Sequence, residues 1–304
     1  MQGEVIAVSG GVYTLLLDDG QQVDASLRGR LKLESRVRAE DRVVICDRVE
    51  VGEGRGGHAT IESLVPRRST VIGRSGTGGK PKVLAANVDR VCAVVAVRPP
   101  PPPRLLDRLL VVAEANRIPA VVVLNKIDLP GGREVAAVFA VRYGVVGYPV
   151  FQVSASTGAG VDDLAAELCR GTSVLVGPSG VGKTTLVNAI EPELGLRTGE
   201  LSRKTGSGRH TTVSSRLIAF ACGGRVADTP GFSDVGIWEM DPSELDACFP
   251  ELRELSEHCR FAGCAHLREP DCAVRAALET GRIAPQRYES YVELRAEAER
   301  LQTR

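Results

Sequence analysis

The sequence predicts an α/β fold in three parts: an N-terminal β-barrel over residues 1–68, a parallel α/β domain over 69–236 and a helical module over 237–304. Three observations carry this. Short β-rich runs broken by glycine turns fill the first part, continuous apolar runs alternating with helical patterns fill the second, and four soft metal ligands crowd into fourteen residues of the third. At 304 residues, 43% hydrophobic and 25% charged, the chain has an ordinary globular composition and length for two or three cores.

No apolar run reaches membrane-spanning length, and Met1-Gln2-Gly3-Glu4 lacks the basic start and apolar centre of a signal peptide. The expected location is cytoplasmic, with no membrane partner. Lysine plus arginine equals aspartate plus glutamate at 38 each, which confines any nucleic-acid contact to local patches. In a reducing compartment the eight cysteines are expected as thiols, and Cys46, Cys92, Cys169 and Cys222, each single in an apolar or helical stretch, read as small buried hydrophobes.

In the first part Glu4 to Val8, Val12 to Leu17, Val43 to Cys46 and His58 to Leu64 read as strands, separated by Ser9-Gly10-Gly11, Asp18-Asp19-Gly20 and residues 52–57. Short strands at this spacing suit a small OB-type barrel. Arg28, Arg30, Lys32, Arg36 and Arg38 crowd one segment, with Arg67 and Arg68 at the barrel's end. They form either an RNA-binding face or a solvated basic loop. Residues 71–86, with Gly73, Gly76, Gly78, Gly79, Lys80 and Pro81, read as a flexible connector.

Arg90 to Val97, Ala120 to Leu124, Val150 to Val153 and Val174 to Val176 are apolar throughout, as strands buried on both faces of a parallel sheet must be. Helical patterns follow at Leu105 to Ala115, Val135 to Tyr143, Val161 to Cys169 and Leu186 to Ile190; Pro99 to Pro103 reads as a stiff loop. After Val176 come Gly177, Pro178, Ser179, Gly180, Val181, Gly182, Lys183, Thr184 and Thr185, which fit the phosphate-loop spacing G-x-x-x-x-G-K-[ST]. Glycines let backbone N–H groups turn onto phosphates, the helix adds its positive end, Lys183 reaches the terminal phosphates, and Thr184 can ligate Mg2+.

Asn125-Lys126-Ile127-Asp128 follows the strand Ala120 to Leu124, at the strand end where α/β sheets bind ligands. A carboxylate at Asp128 accepts from guanine N1–H and the exocyclic amine, whereas adenine would leave that charge unpaired. Asn125 would tie neighbouring loops, and the Lys126 stem would pack on the ring. Ser154-Ala155-Ser156 follows the strand ending at Val153 and places the Ala155 N–H for the guanine oxygen. GTP with Mg2+ is the ligand these motifs predict together.

Asp228-Thr229-Pro230-Gly231 ends the strand Arg225 to Ala227, which is expected to pair with Arg216 to Ala221. Asp228 can hold Mg2+ through water and the Gly231 N–H can sense a γ-phosphate. Phe232 stands where a small GTPase would carry the glutamine that orients water. Arg197 to Thr212 reads as a switch loop. Within it Thr211 or Thr212 could supply a second Mg2+ hydroxyl, and His210 is either the group that orients water or a surface histidine. Lys183, His210, Thr211 and Thr212 are therefore the candidate catalytic residues. The motifs run N-K-x-D, S-A-S, P-loop, threonine, D-T-P-G, which is a circular permutation of the ordinary GTPase order. The predicted α/β part is thus a circularly permuted P-loop GTPase domain, flanked by the barrel and the helical zinc-type module.

Cys259, Cys264, His266 and Cys272 give C-x4-C-x-H-x5-C, suited to one closed, structural Zn2+ site; unliganded thiols are the alternative, and His258 and Cys248 are spare ligands. Pro242 to Leu255, Ala273 to Thr280 and Gln286 to Leu301 look helical, the last with Tyr288, Tyr291, Leu294, Ala298 and Leu301 on its apolar stripe. The tyrosines are packing residues or base-stacking platforms, and Arg287, Arg295, Arg300 and Arg304 could face RNA.

The permuted order, Gly208-Arg209-His210-Thr211-Thr212 ahead of Asp228-Thr229-Pro230-Gly231, and the Cys259 to Cys272 pattern after a barrel resemble the ribosome small-subunit-dependent GTPase A family over essentially the whole chain. Leu64 to Ser69 and Ala85 to Asp89 add to the likeness, while Asp271 stands where the family commonly has glycine and Thr184-Thr185 where it has a serine pair. The resemblance implies a monomer that binds the small ribosomal subunit and its rRNA, assists a late step of its maturation beside other assembly factors, and hydrolyses GTP faster on the subunit. It also implies Zn2+ on the Cys3His set and a catalytic His210. The competing expectation is an RNA-binding adaptor in which GTP is a structural ligand.

Overall fold

The computed structural model describes residues 1–29, 31, 42–54, 58–74, 81–102, 104–197, 201, 215–229 and 240–302. Five strands form the barrel: β1 (Gln2–Ser9), β2 (Val12–Leu17), β3 (Gln22–Leu27), β4 (Arg48–Glu53) and β5 (Ala59–Leu64). They run in the order β1-β2-β3-β5-β4, and β4 returns to pair with β1, so the sheet closes. Val5, Leu15, Val49 and Ile61 fill it and are fully buried. β3 and β4 escape a reading of the sequence, because a barrel strand needs only one apolar face and these carry Asp24, Ser26 and Glu50 on the other. Val43 to Cys46, expected as a strand, makes only a single bridge, Ile45 to Ala85.

The connector is corrected at its two ends, residues 75–80 with Gly76, Gly78, Gly79 and Lys80 lying outside the described residues. β6 (Thr70–Arg74) and β7 (Pro81–Ala86) pair antiparallel, and Val71, Leu84 and Ala85 lie in the core of the α/β domain. Glycines suggest a loose segment, but burial of its apolar face makes it a hairpin. Arg67 is also corrected as an RNA-facing group: its guanidinium donates to both oxygens of the buried Asp47, at 2.7 and 2.8 Å, and so braces the barrel exit. Arg28 and Arg68 pair with Glu62 and Asp89 at the surface, while Arg30, Lys32, Arg36 and Arg38 lie outside the described residues.

The central sheet contains β8 (Arg90–Ala96), β9 (Ala120–Asn125), β10 (Val150–Gln152), β11 (Thr172–Val176), β12 (Ser215–Ala219) and β13 (Arg225–Asp228) in the order β10-β9-β8-β11-β13-β12. All neighbours are parallel except β12 and β13. Helices α1 (Leu105–Ala115), α2 (Gly132–Gly144), α3 (Val161–Leu168) and α4 (Lys183–Ile190) cover its two faces and bury a core on each. The edge strand β12 also pairs with β1 of the barrel, Ala7 opposite Arg216 and Val8 opposite Ser215. An ion pair from Arg225 to Glu4 reinforces the seam.

Cys46 and Cys92 are buried thiols as expected, but Cys169 and Cys222 are joined in a disulfide. The β12–β13 turn rests on the end of α3: the Arg225 N–H donates to Gly171 O at 3.0 Å, and a Cβ on Gly224 would come within 2.3 Å of Leu168 O. That backbone contact brings together two cysteines 53 positions apart, which no local pattern could show.

The C-terminal module begins with two short 3-10 turns, Pro242–Glu244 and Asp246–Cys248, in place of the single helix expected there. α5 (Pro250–Ser256), α6 (Ala273–Glu279) and α7 (Pro285–Gln302) follow. Phe249, Leu252, Tyr291, Leu294 and Ala298 form their core together with Val111 of α1, so the module is docked on the α/β domain. Arg287, expected as an RNA contact, is 1% exposed and donates to Asp107 of α1 and to Glu251. Arg295 and Arg300 donate to the carbonyls of Pro242 and Ala296, and Arg304 lies outside the described residues.

Candidate nucleotide site and metal centre

Because β9, β10, β11 and β13 are parallel, their carboxyl ends lie on one edge, and each ends in a predicted motif. The phosphate loop lies between β11 and α4. Gly177 (φ 152°) could not carry a Cβ, which would meet Val94 O at 2.2 Å; Gly182 (φ 100°) would place one 2.4 Å from the Asn125 amide. Lys183, 2% exposed, donates from Nζ to Gly177 O at 2.6 Å and Pro178 O at 3.0 Å, so its charge already spans the loop mouth. Thr184 is 3% exposed, and its Oγ1 accepts from the Leu201 N–H at 3.2 Å.

Asn125 joins three loops. Its Nδ2 donates to Val181 O of the phosphate loop at 2.8 Å, and its Oδ1 accepts from the Lys126 N–H at 2.8 Å and the Ala155 N–H at 3.1 Å. Lys126 adds a second tie, Nζ to Gly180 O at 2.7 Å. Asp128 accepts from Ser154 Oγ at 2.6 Å and Ser156 Oγ at 3.2 Å, and these bonds, Ser154's first, hold its carboxyl below the ordinary aspartate range. The site is therefore pre-formed as an anionic acceptor beside an open cavity of about 450 Å³ lined by Asp128, Leu129, Gly132 and Thr157 among others. Ser156, named in the sequence only as part of the Ser154-Ala155-Ser156 turn and given no role there, is a site residue through its bond to Asp128.

Asp228 ends β13, opposite Arg216 of β12, with Arg216 Nε 3.6 Å from its Oδ2. His210, Thr211, Thr212, Gly231 and Phe232 lie outside the described residues.

Cys259, Cys264, His266 and Cys272 converge, with all four ligand atoms within 4.8 Å of one another. Sγ of Cys259 and Cys272 are 3.8 Å apart, and His266 Nδ1 is 3.5 and 3.4 Å from them. A tetrahedral ion with zinc-like bond lengths has edges of about 3.8 Å between sulfurs and about 3.6 Å from sulfur to nitrogen, so these residues fit such a group. His266 Nε2 faces Asp246 Oδ2 at 3.3 Å and Ser256 Oγ at 3.2 Å, an arrangement that places the proton on Nε2 and leaves Nδ1 a lone pair. Neither Asp246 nor Ser256 could be picked out without the fold. The spare ligands are not used: buried Cys248 approaches Glu244 O, and His258 is exposed. Glu269 accepts from the N–H groups of Ala265, Leu267 and Arg268, each at 2.9 Å. Against a desolvation that would raise its pKa, these bonds carry it down to about 2.

A parallel sheet that presents a phosphate loop, a guanine-type N-K-x-D and, at the end of β13, the Asp228 that opens D-T-P-G along one edge, in permuted chain order, defines a circularly permuted P-loop GTPase. Comparison with known proteins gives the family. The RsgA GTPase profile matches residues 54–238. A small ribosomal subunit biogenesis GTPase RsgA from Gemmatimonas aurantiaca is 44% identical over 300 residues, covering 97% of this chain and 96% of that one. The protein of the same description from Moorella thermoacetica is 43% identical, covering 98% and 97%. Among solved structures, YjeQ from Thermotoga maritima superposes with a TM-score of 0.79 at 32% identity and covers 98% of both chains. YloQ, described as a circularly permuted GTPase, gives 0.74 at 30% identity, covering 98% of this chain and 94% of that one. The chain belongs to the RsgA GTPase family, and with it to the GTP-hydrolysing enzymes. No helix among the described residues is long and apolar enough to cross a membrane.

Proposed function

We propose that this chain hydrolyses GTP in small ribosomal subunit biogenesis, that it binds the subunit through rRNA, and that this contact raises its turnover. The relatives' descriptions supply the process. The observation that carries the chemistry is the Asn125 carboxamide, which locks the base-reading turn, the Ser154-Ala155 turn and the phosphate loop into one site. Asp128 would read guanine, Ala155 N–H would turn from Asn125 to the base, and Gly177 to Thr185 would cradle the phosphates with Lys183 reaching the γ position. Thr184 and Asp228, with Thr211 or Thr212, would hold Mg2+, which neutralises phosphate charge when bound. Zn2+ is the ion best matched to the three thiolates and one imidazole.

In this reading residues 1–68 are an RNA-binding barrel, 69–236 the GTPase domain and 237–304 the zinc module of a cytoplasmic monomer. Subunit contact would place His210 to position the attacking water, and the protein without the subunit would turn over slowly. The test is GTP turnover of the wild-type, Lys183→Ala and His210→Ala proteins, alone and with purified small or large subunits. Stimulation by the small subunit only, abolished by Lys183→Ala and by His210→Ala, is expected. Equal turnover with and without subunits, and equal RNA affinity with GDP and a non-hydrolysable GTP analogue, would instead favour an adaptor for which GTP is structural.

A further inference from the structure

We propose that Phe261, backed by the Arg260 guanidinium, is a stacking platform for one unpaired nucleobase of small-subunit rRNA. The choice of partner rests on the function proposed above; the platform rests on the geometry of the metal loop. Among the described phenylalanine, tyrosine and tryptophan residues, Phe261 alone is exposed, at 44%. Tyr288 and Tyr291, the other such residues near the metal centre, are committed inward, their hydroxyls donating to His266 O at 2.7 Å and Ala265 O at 2.8 Å.

Phe261 is held by a rigid support. It lies between the ligands Cys259 and Cys264, in a loop whose continuation is fastened by those tyrosines and by three N–H bonds to Glu269. The Arg260 guanidinium carbon is 5.5 Å from the ring centroid, and Arg260 Nη1 is held by Asp271 at 2.8 Å. Asp271 adopts φ 55°, a backbone region that aspartate enters more readily than most residues. Here its carboxylate gives it a task that glycine could not perform.

A ring fixed before binding loses little entropy when a base stacks on it, and the guanidinium behind it adds a cation–π contribution and attraction for the neighbouring phosphate. The neighbouring exposed groups favour nucleic acid over a protein surface. Arg260 and Arg268 are exposed on either side of the ligand pair Cys264 and His266, and the exposed apolar neighbours, Ala262, Gly263, Leu267 and Pro270, are small or isolated, whereas a protein interface needs a broad apolar patch.

The experiment uses the full-length, metal-loaded chain. Equilibrium binding to purified small subunits with a non-hydrolysable GTP analogue is measured for wild type, Phe261→Ala, Phe261→Leu and Phe261→Trp, with metal content and subunit-free GTP turnover as checks on folding. Loss of one stacked base weakens binding roughly 5- to 100-fold in the alanine and leucine variants, and tryptophan restores it. Wild-type affinity in Phe261→Ala, or full rescue by leucine, overturns the platform, the second by showing an apolar protein contact. When Phe261→Trp is combined with Trp238→Phe, the indole introduced on the metal loop is the chain's only one, and single-stranded oligoadenylate should quench its fluorescence. No quench up to millimolar RNA overturns the platform. Failure of the wild type to bind subunits would refute the proposed function, while the quenching measurement still decides the platform.

Discussion

Arg287 of α7 and Asp107 of α1 are joined by a buried bond of 2.6 Å, and the same guanidinium is bidentate to Glu251 of α5. Asp107 also accepts from Tyr143 of α2 at 2.7 Å and from Ser290. The pair welds the C-terminal module to the helices beside the base-reading turn, and the Arg287 guanidinium carbon lies 4.6 Å from the Phe249 ring centroid. The permutation therefore makes residues 232–239 the link from the D-T-P-G motif to a module that is separately anchored on α1.

Substituting Arg287 by alanine takes the cation away from the buried Asp107 and the partly buried Glu251. The expected cost is about 3–5 kcal/mol of unfolding free energy, against about 1 kcal/mol or less for a surface pair such as Arg260–Asp271. Urea unfolding of Arg287→Ala and Arg260→Ala measures the contrast; equal losses would mean that the network does not dock the module.

Asn125→Ala leaves Val181 O and the Ala155 N–H without their partner. An orphaned buried group costs about 1–3 kcal/mol, so GTP and GDP affinity should each fall at least about tenfold. Calorimetric titration checks this, and a loss confined to GTP would contradict the assignment, because base and loop contacts are shared by both nucleotides.

Asp128→Asn replaces an acceptor with a group that also donates. Preference should move from guanine toward xanthine nucleotides, read by competition between GTP and XTP. Retained guanine preference would remove Asp128 from base recognition.

The Cys169–Cys222 bridge encloses the phosphate loop within its 53-residue separation. Cross-linking a loop of that length is worth about 2–4 kcal/mol in unfolded-chain entropy. Thermal unfolding with and without reductant should show the wild type losing stability and Cys222→Ser remaining indifferent to reductant. A melting temperature unchanged by reductant would show that the bridge contributes nothing.

Asp246→Asn should weaken metal binding about 10- to 100-fold while leaving the four ligands in place, because the imidazole loses a carboxylate that fixes its tautomer. Chelator competition measures it. Complete removal of the ion should unfold the module, seen as loss of ellipticity and exposure of its four thiols, Cys248 and the three ligand cysteines.

The nucleotide motifs are legible in the sequence because they are short and contiguous, and each follows an apolar strand that is itself visible. The Cys3His spacing is legible for the same reason: Cys259 to Cys272 is one local turn of chain. Asp246 and Ser256, by contrast, are common surface residue types and become partners of His266 only when α5 packs on the metal loop. Arg287 misleads because, taken alone, an arginine on a polar helix reads as solvent-facing. Its burial depends on Asp107, 180 residues earlier.

By itself the sequence determined the local chemistry: a phosphate loop, a guanine-reading carboxylate, a permuted order and a set of metal ligands. These depend on residue types at short separations, where backbone geometry leaves few alternatives. Tertiary structure alone decided the pairing of Cys169 with Cys222, the β1–β12 seam, the hairpin at β6–β7 and the burial of Arg287. Each joins segments whose contact no local pattern encodes, so each is set by which surfaces pack together.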